Sequence, residues 1–174
     1  MAEINYKDPK RQWQGAVSKA VGKAFEDYIS AACMYYRVKK LAVIEKTPEP
    51  MRIIKNLGQG KFIAHFEKQA QPDYKGCLND GKAIVFEAKF TDKDRIEQNR
   101  LTDEQSSSLD RYSRMGAWCF VFVSLKMQNF YRVPWEVWKD MKNLYKRKYM
   151  TADDLKEYEV PMTNGIIMIL DEVK

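Results

Sequence analysis

Histidine is almost missing from this chain: His65 stands alone among 174 residues. That scarcity excludes His-centred nuclease motifs, HExxH metallohydrolases and Cys₂His₂ fingers, all of which need further imidazoles. Cysteine is scarce too. Cys33, Cys77 and Cys119 are odd in number and far apart, which suits neither a disulfide framework nor a thiolate zinc site and fits a reducing cytoplasm. Any metal must therefore be held by oxygen ligands, which favour Mg²⁺, Mn²⁺ or Ca²⁺ over zinc. No apolar run approaches bilayer length, and the opening MAEINYKDPKRQWQG has no apolar signal core. A soluble cytoplasmic protein with no membrane partner is expected.

What the chain has in excess is positive charge, formally +6. A basic surface releases counterions on meeting phosphate, so a polyanionic partner is expected, with nucleic acid first and an anionic membrane surface second. The length is that of one domain with a real core. Residues 1–14 read as a loose basic arm carrying Lys7, Lys10 and Arg11, and residues 15–174 as the single domain.

Val17, Val21, Phe25, Ile29 and Ala32 recur at helical steps and predict an amphipathic helix over about 16–37. Leu41 to Glu45 reads as a short strand, ended by Pro48 and Pro50. The segment 51–71 predicts a protruding hairpin, with arms RII and KFIAHF around Asn56 to Gly60. DYKGCL and KAIVFEAKF form a second hairpin, and Leu101 to Met115 a helix with Thr102 and Gln105 spaced as a capping box before the stop at Gly116. AWCFVFVSL is apolar on both faces and reads as a central strand, followed by NFYRV. Pro134 opens a predicted helix WEVWKDMKNLYKRK, and a short acidic helix near Ala152 to Glu157 and a strand IIMIL complete the chain. The class is α/β, a mixed sheet flanked by helices.

The informative segment is Pro72-Asp73, followed fourteen residues later by Glu87-Ala88-Lys89. Glu87 and Lys89, two apart on a strand, share a face. Whether Asp73 shares it depends on register. A two-residue turn at Asp80-Gly81 sets Asp73 opposite Ala88 and turns Glu87 away. A three-residue loop Asn79-Asp80-Gly81, with Gly81 left-handed, sets Asp73 opposite Glu87, and this loop is the one expected. Carboxylates about 5 Å apart on neighbouring strands repel unless a cation lies between them. Mg²⁺ needs only one or two protein carboxylates, and Lys89 stands ready to orient water or neutralise a phosphorane. Glu26, beside Phe25 on the first helix with Gly22 and Ser30 one turn away on either side, is the expected third acid. Taken singly, Glu-x-Lys is an ordinary strand end, Glu26 a helix acid pairing with Lys23, and Asp73 a turn residue; the conjunction after the apolar run Ala83-Ile84-Val85-Phe86 points to a metal nuclease.

The order Gly22-Lys23-x-Phe25-Glu26, Glu45-Lys46-x-Pro48-x-Pro50, Asp73-Tyr74-x-Gly76, Phe86-Glu87-Ala88-Lys89, Gln105, Gly116 and Cys119-Phe120-Val121 resembles the RecU family of Holliday junction resolvases. The similarity runs from about residue 15 through the central strand and more loosely beyond. It implies a restriction-endonuclease-like PD-(D/E)XK core, Mg²⁺ or Mn²⁺ dependence, a homodimer, and paired symmetric nicks in four-way DNA junctions, with a recombinase as a further partner it allows. It also implies Glu26, Asp73 and Glu87 as metal ligands, Lys89 as catalytic lysine, Gln105 as an auxiliary active-site residue, and 51–71 as a stalk entering the junction. Arg52, Lys55, Lys61 and Lys68 of that stalk would contact phosphate. The stalk is shorter than in bacterial members, as in a compact phage or mobile-element version, and Glu104 stands where a histidine usually precedes the helix glutamine.

A four-way junction is pseudo-two-fold, so a C₂ dimer would present one site to each of two opposed strands. Lys142, Lys146, Arg147 and Lys148 form a second basic cluster, either a DNA contact or a solvated helix end. His65 reads as a packing or phosphate contact. Two other classes of function fit the residues: a nuclease of the same fold acting on another DNA substrate, restriction-like or single-strand, and a non-catalytic DNA-binding modulator of recombination.

Overall fold

The computed structural model describes residues 9–66 and 71–171. Helix α1 spans Pro9–Val38, so it begins inside the stretch expected to be a loose arm; Pro9 suits a first helical turn, where a missing N–H costs nothing. Residues 12–20 are exposed on every side. From Phe25 onward one face is buried through Ile29, Ala32, Cys33 and Tyr36, which is where helical periodicity in the sequence is strongest.

The main sheet has six strands: β1 (Ala42–Lys46), β4 (Tyr74–Leu78), β5 (Ala83–Thr91), β7 (Trp118–Leu125), β8 (Asn129–Pro134) and β10 (Glu159–Val160), in that spatial order. The β5–β7 pair is parallel and the others antiparallel. Helix α2 (Asp103–Arg114) makes the crossover between the parallel strands. β7 is buried along almost its whole length, as expected of a central strand covered on both faces. The expected α/β class, a mixed sheet flanked by helices, is the one observed.

Two apolar clusters lie on opposite faces of the sheet. On the α1 face, Tyr74, Phe86 and Phe120 stack across three strands with centroids 4.8 and 4.7 Å apart, and Phe25 stacks on Phe122 at 5.7 Å. On the other face, Val85, Val121 and Val123 pack with Leu109 of α2, Trp135, Trp138 and Met141. Side chains alternate along a strand, so Phe86 points to α1 and Glu87 to α2.

The hairpin of β2 (Met51–Gly58) and β3 (Lys61–Phe66) forms its own two-stranded sheet, and every residue of β2 is exposed. Two further expectations change. The helix predicted from Pro134 breaks into α3 (Trp135–Lys139) and α4 (Met141–Tyr145), because Asp140 leaves helical geometry and Lys146 adopts φ 56°. IIMIL contributes only the two-residue strand β12 (Ile166–Ile167), paired with β11 (Met162–Thr163); Ile167 and Ile169 are buried in the α1-face cluster instead of extending the main sheet. Short strands β6 (Arg95–Glu97) and β9 (Tyr149–Thr151) pair with each other, and α5 (Ala152–Leu155) follows.

Candidate active site

The register that the site requires is present. Tyr74 pairs with Phe86 and Gly76 with Ile84. Leu78 N–H donates to the Lys82 carbonyl at 2.9 Å across Asn79-Asp80-Gly81, and Gly81 has φ 87°. Continuing that pairing one step past Tyr74 sets Asp73 opposite Glu87 on the α2 face. β4 can lie this close to β1 because Gly76 has no side chain: a Cβ there would stand 2.1 Å from the Val43 carbonyl oxygen. Asp73 is anchored twice. Its carbonyl accepts from Thr47 N–H at 2.8 Å, and its Oδ2 accepts from Ala88 N–H at 3.0 Å.

Glu87 is fully buried. Lys89 Nζ donates to Glu87 Oε2 at 2.9 Å and lies 3.5 Å from Asp73 Oδ2, so the ammonium bridges the two carboxylates. Gln105 Nε2 also donates to Glu87 Oε2, at 2.6 Å. The same Gln105 is the third residue of α2, where its Oε1 accepts from Thr102 N–H while Thr102 Oγ1 accepts from Gln105 N–H. One capping box therefore both starts the helix and aims the amide at the carboxylate. Among the described residues, Glu87 Oε1 is buried with no hydrogen-bond partner. Burial and, after it, the Asp73 charge push the Glu87 carboxyl up to about 8, with Lys89 opposing them.

Glu26 does not join this group. Its Oε2 pairs with Lys46 at 2.7 Å, and among the described residues no cluster of three or more His, Cys, Asp or Glu side chains is placed to hold a metal. The cause is the layering. α1 covers the Phe86 face, whereas Glu87 points to the opposite one, and helical periodicity locates Glu26 on its helix without saying which face of the sheet that helix will cover. The expected basic contacts divide. Arg52, Lys55 and Lys61 are exposed on the separate hairpin, with Arg52 paired opposite the exposed His65, while Lys68 lies outside the described residues. Lys142, Lys146 and Lys148 are exposed. Arg147 is held otherwise: it pairs with Asp154 and lies over the Tyr145 and Tyr149 rings at 5.8 and 5.0 Å, so its guanidinium braces α5 against β9. The Thr102 cap is the one the Thr-x-x-Gln spacing predicts, whereas the contacts of Thr47 and the Ala88 amide with Asp73 carry no local sequence signal.

A mixed sheet whose second hairpin sets an Asp opposite a buried Glu, with a Lys two residues on, defines the restriction-endonuclease-like class. The family described as RecU, Recombination protein U, matches residues 20–174, and the chain belongs to it. It is similar to the Holliday junction resolvase RecU of Bacillus subtilis (strain 168), 27% identical over 161 residues that cover 87% of this chain and 77% of that protein. The Holliday junction resolvase RecU of Streptococcus pneumoniae (strain Hungary19A-6) is 32% identical over 113 residues, 62% of this chain and 57% of that one. Among solved structures, Hjc of Archaeoglobus fulgidus, a Holliday junction resolvase, superposes with a TM-score of 0.41 at 16% identity, covering 67% of this chain and 74% of that one. Among the described residues no helix is long and apolar enough to cross a membrane.

Proposed function

We propose that this chain is a metal-dependent, structure-selective endodeoxyribonuclease that resolves Holliday junctions by paired symmetric nicks, acting in the cytoplasm as a homodimer. One observation carries the metal centre: a fully buried glutamate with one oxygen unpartnered, beside a second carboxylate and a lysine. A buried carboxylate oxygen without a donor is costly unless something electropositive meets it. Two carboxylates are enough for Mg²⁺ or Mn²⁺, which keep water and substrate oxygens in their other positions. Asp73 and Glu87 would hold the ion, and when bound it supplies Lewis-acid polarisation of the phosphodiester and a nucleophile at neutral pH.

The chain's own residues do the rest. Gln105 and Lys89 hold Glu87 Oε2 in place, which leaves Oε1 as the free ligand atom. Lys89, half released from Asp73 at 3.5 Å, carries the positive charge that offsets the phosphorane and holds the attacking water. Ala88 N–H fixes the Asp73 rotamer. The junction as substrate follows from what the named relatives do, and a dimer with one site for each opposed strand accounts for symmetric nicking.

The test is cleavage of a mobile four-way junction, a linear duplex and a flap in Mg²⁺, with Asp73→Asn as control. Preferential paired nicking of the junction, lost in the variant while junction binding persists, is expected. Equal cutting of all three would refute junction selectivity. Absence of cutting by the parent protein would leave a DNA-binding modulator.

A further inference from the structure

A groove of about 490 Å³ runs between α1 and the C-terminal end of β5, and Lys89 is part of its lining. Lys89 is thus the residue the groove shares with the candidate site. The groove also lies outside the carboxyl ends of the parallel strands β5 and β7, where open α/β sheets generally receive ligands. None of its cations other than Lys89 belongs to the basic groups considered above.

The charge in this groove is unevenly spent. Arg95 pairs with Glu97 at 2.8 Å and covers the Tyr149 ring at 4.4 Å. Among the described residues, the hydrogen bond that Arg100 makes is to a neutral group, from Nη2 to the Phe90 carbonyl at 3.1 Å. That bond fixes the guanidinium at the groove and leaves its other donors unspent. Lys93 is exposed, and neither it nor Arg100 has an ion-pair partner among the described residues. Asp92 is the one acid of the lining that Arg95 does not neutralise, so the rim keeps a positive excess. The larger cleft beside α2, about 650 Å³, is lined by Asp103 and Glu104 against Arg111, a balance that does not favour a polyanion.

The opposite wall contains a glycine without an internal reason. Gly22 sits inside α1, where glycine costs about 1 kcal/mol relative to alanine. Its φ is not positive, and a Cβ built on it meets nothing within 4 Å. The fold does not require this glycine.

We propose that this groove seats the sugar–phosphate backbone of the strand being cut, with Lys93 and Arg100 contacting phosphates and Gly22 leaving room for the chain against α1. The inference rests on the nuclease reading above and adds the path of the strand to it. The test uses the full-length protein with a four-way junction, measuring equilibrium binding in EDTA from 50 to 200 mM salt, cleavage in Mg²⁺, and thermal stability. Each phosphate contact loses about 3.5-fold in affinity over that fourfold rise in salt. The double variant Lys93→Ala/Arg100→Ala should therefore be about 12-fold less salt-sensitive than the parent over the range. Gly22→Leu should melt at or above the parent temperature yet bind the junction at least tenfold more weakly. Parental affinity and salt dependence in the double variant would overturn the groove while leaving the nuclease reading standing, and so would a well-folded Gly22→Leu protein that binds like the parent. Should Gly22→Leu fail to fold, the double variant decides alone. A parent protein that binds no DNA overturns both.

Discussion

The buried glutamate makes stability depend on pH in a direction opposite to that of most carboxylates. The Glu87 carboxyl is raised from 4.5 to about 8, first by burial and then by the Asp73 charge. Between pH 5 and 7 the folded, metal-free protein keeps a proton there that the unfolded chain has released. Stability rises with pH only where the unfolded state binds more protons; here it binds fewer, so stability falls as pH rises. The contribution is complete below about pH 4.5, declines by about 1.4 kcal/mol per pH unit, and is gone above about pH 8. From pH 5 to 7 the loss is about 3 kcal/mol, which for a chain of this size lowers Tm by roughly 6–12 °C. The groups packed around Glu87, namely Asp73, Lys89 and Gln105, set the size of the effect. Thermal melts in EDTA at pH 5, 6, 7 and 8 would measure it. Glu87→Gln, with nothing to ionise, should show no such decline, and Mg²⁺ should stabilise the parent more at pH 8 than at pH 6, because the ion needs the ionised carboxylate. A metal-free protein as stable at pH 7 as at pH 5, or an equal decline in Glu87→Gln, would refute the reasoning.

Gly76→Ala should destabilise by about 3 kcal/mol or more in chemical denaturation, because the new methyl meets the rigid backbone of β1 at Val43 and Ile44. Thr102→Ala should cost about 1 kcal/mol through the lost cap and slow single-turnover cleavage, since the same box aims Gln105 at Glu87. Glu26→Gln removes a half-exposed ion pair with Lys46, so its stability should change by less than about 1 kcal/mol and its cleavage rate should stay within a few-fold of the parent. A loss as complete as in Asp73→Asn would return Glu26 to the metal ligands.

Local chemistry was enough to expose the heart of the site. The three-residue Asn79-Asp80-Gly81 turn dictates register, and register dictates which side chains share a face; the Thr102/Gln105 spacing likewise announces a helix start. Both are short-range consequences of backbone geometry, readable before any fold is known. The ends of elements were less legible. α1 reaches back to Pro9 although residues 12–20 are exposed and bury no apolar stripe, and the helix after Pro134 breaks at Asp140 despite continuous helical periodicity.

What the residues alone determined was the acid–acid–lysine hairpin and the family to which its motifs belong. Tertiary structure decided the rest. It set α1 and Glu87 on opposite faces of the sheet, so Glu26 pairs with Lys46. It committed Arg147 to Asp154 and brought Gly22 across from Arg100. Each of these depends on which layer an element packs against, a choice made by the summed burial of two apolar clusters and not by the sequence neighbours of any one charged residue.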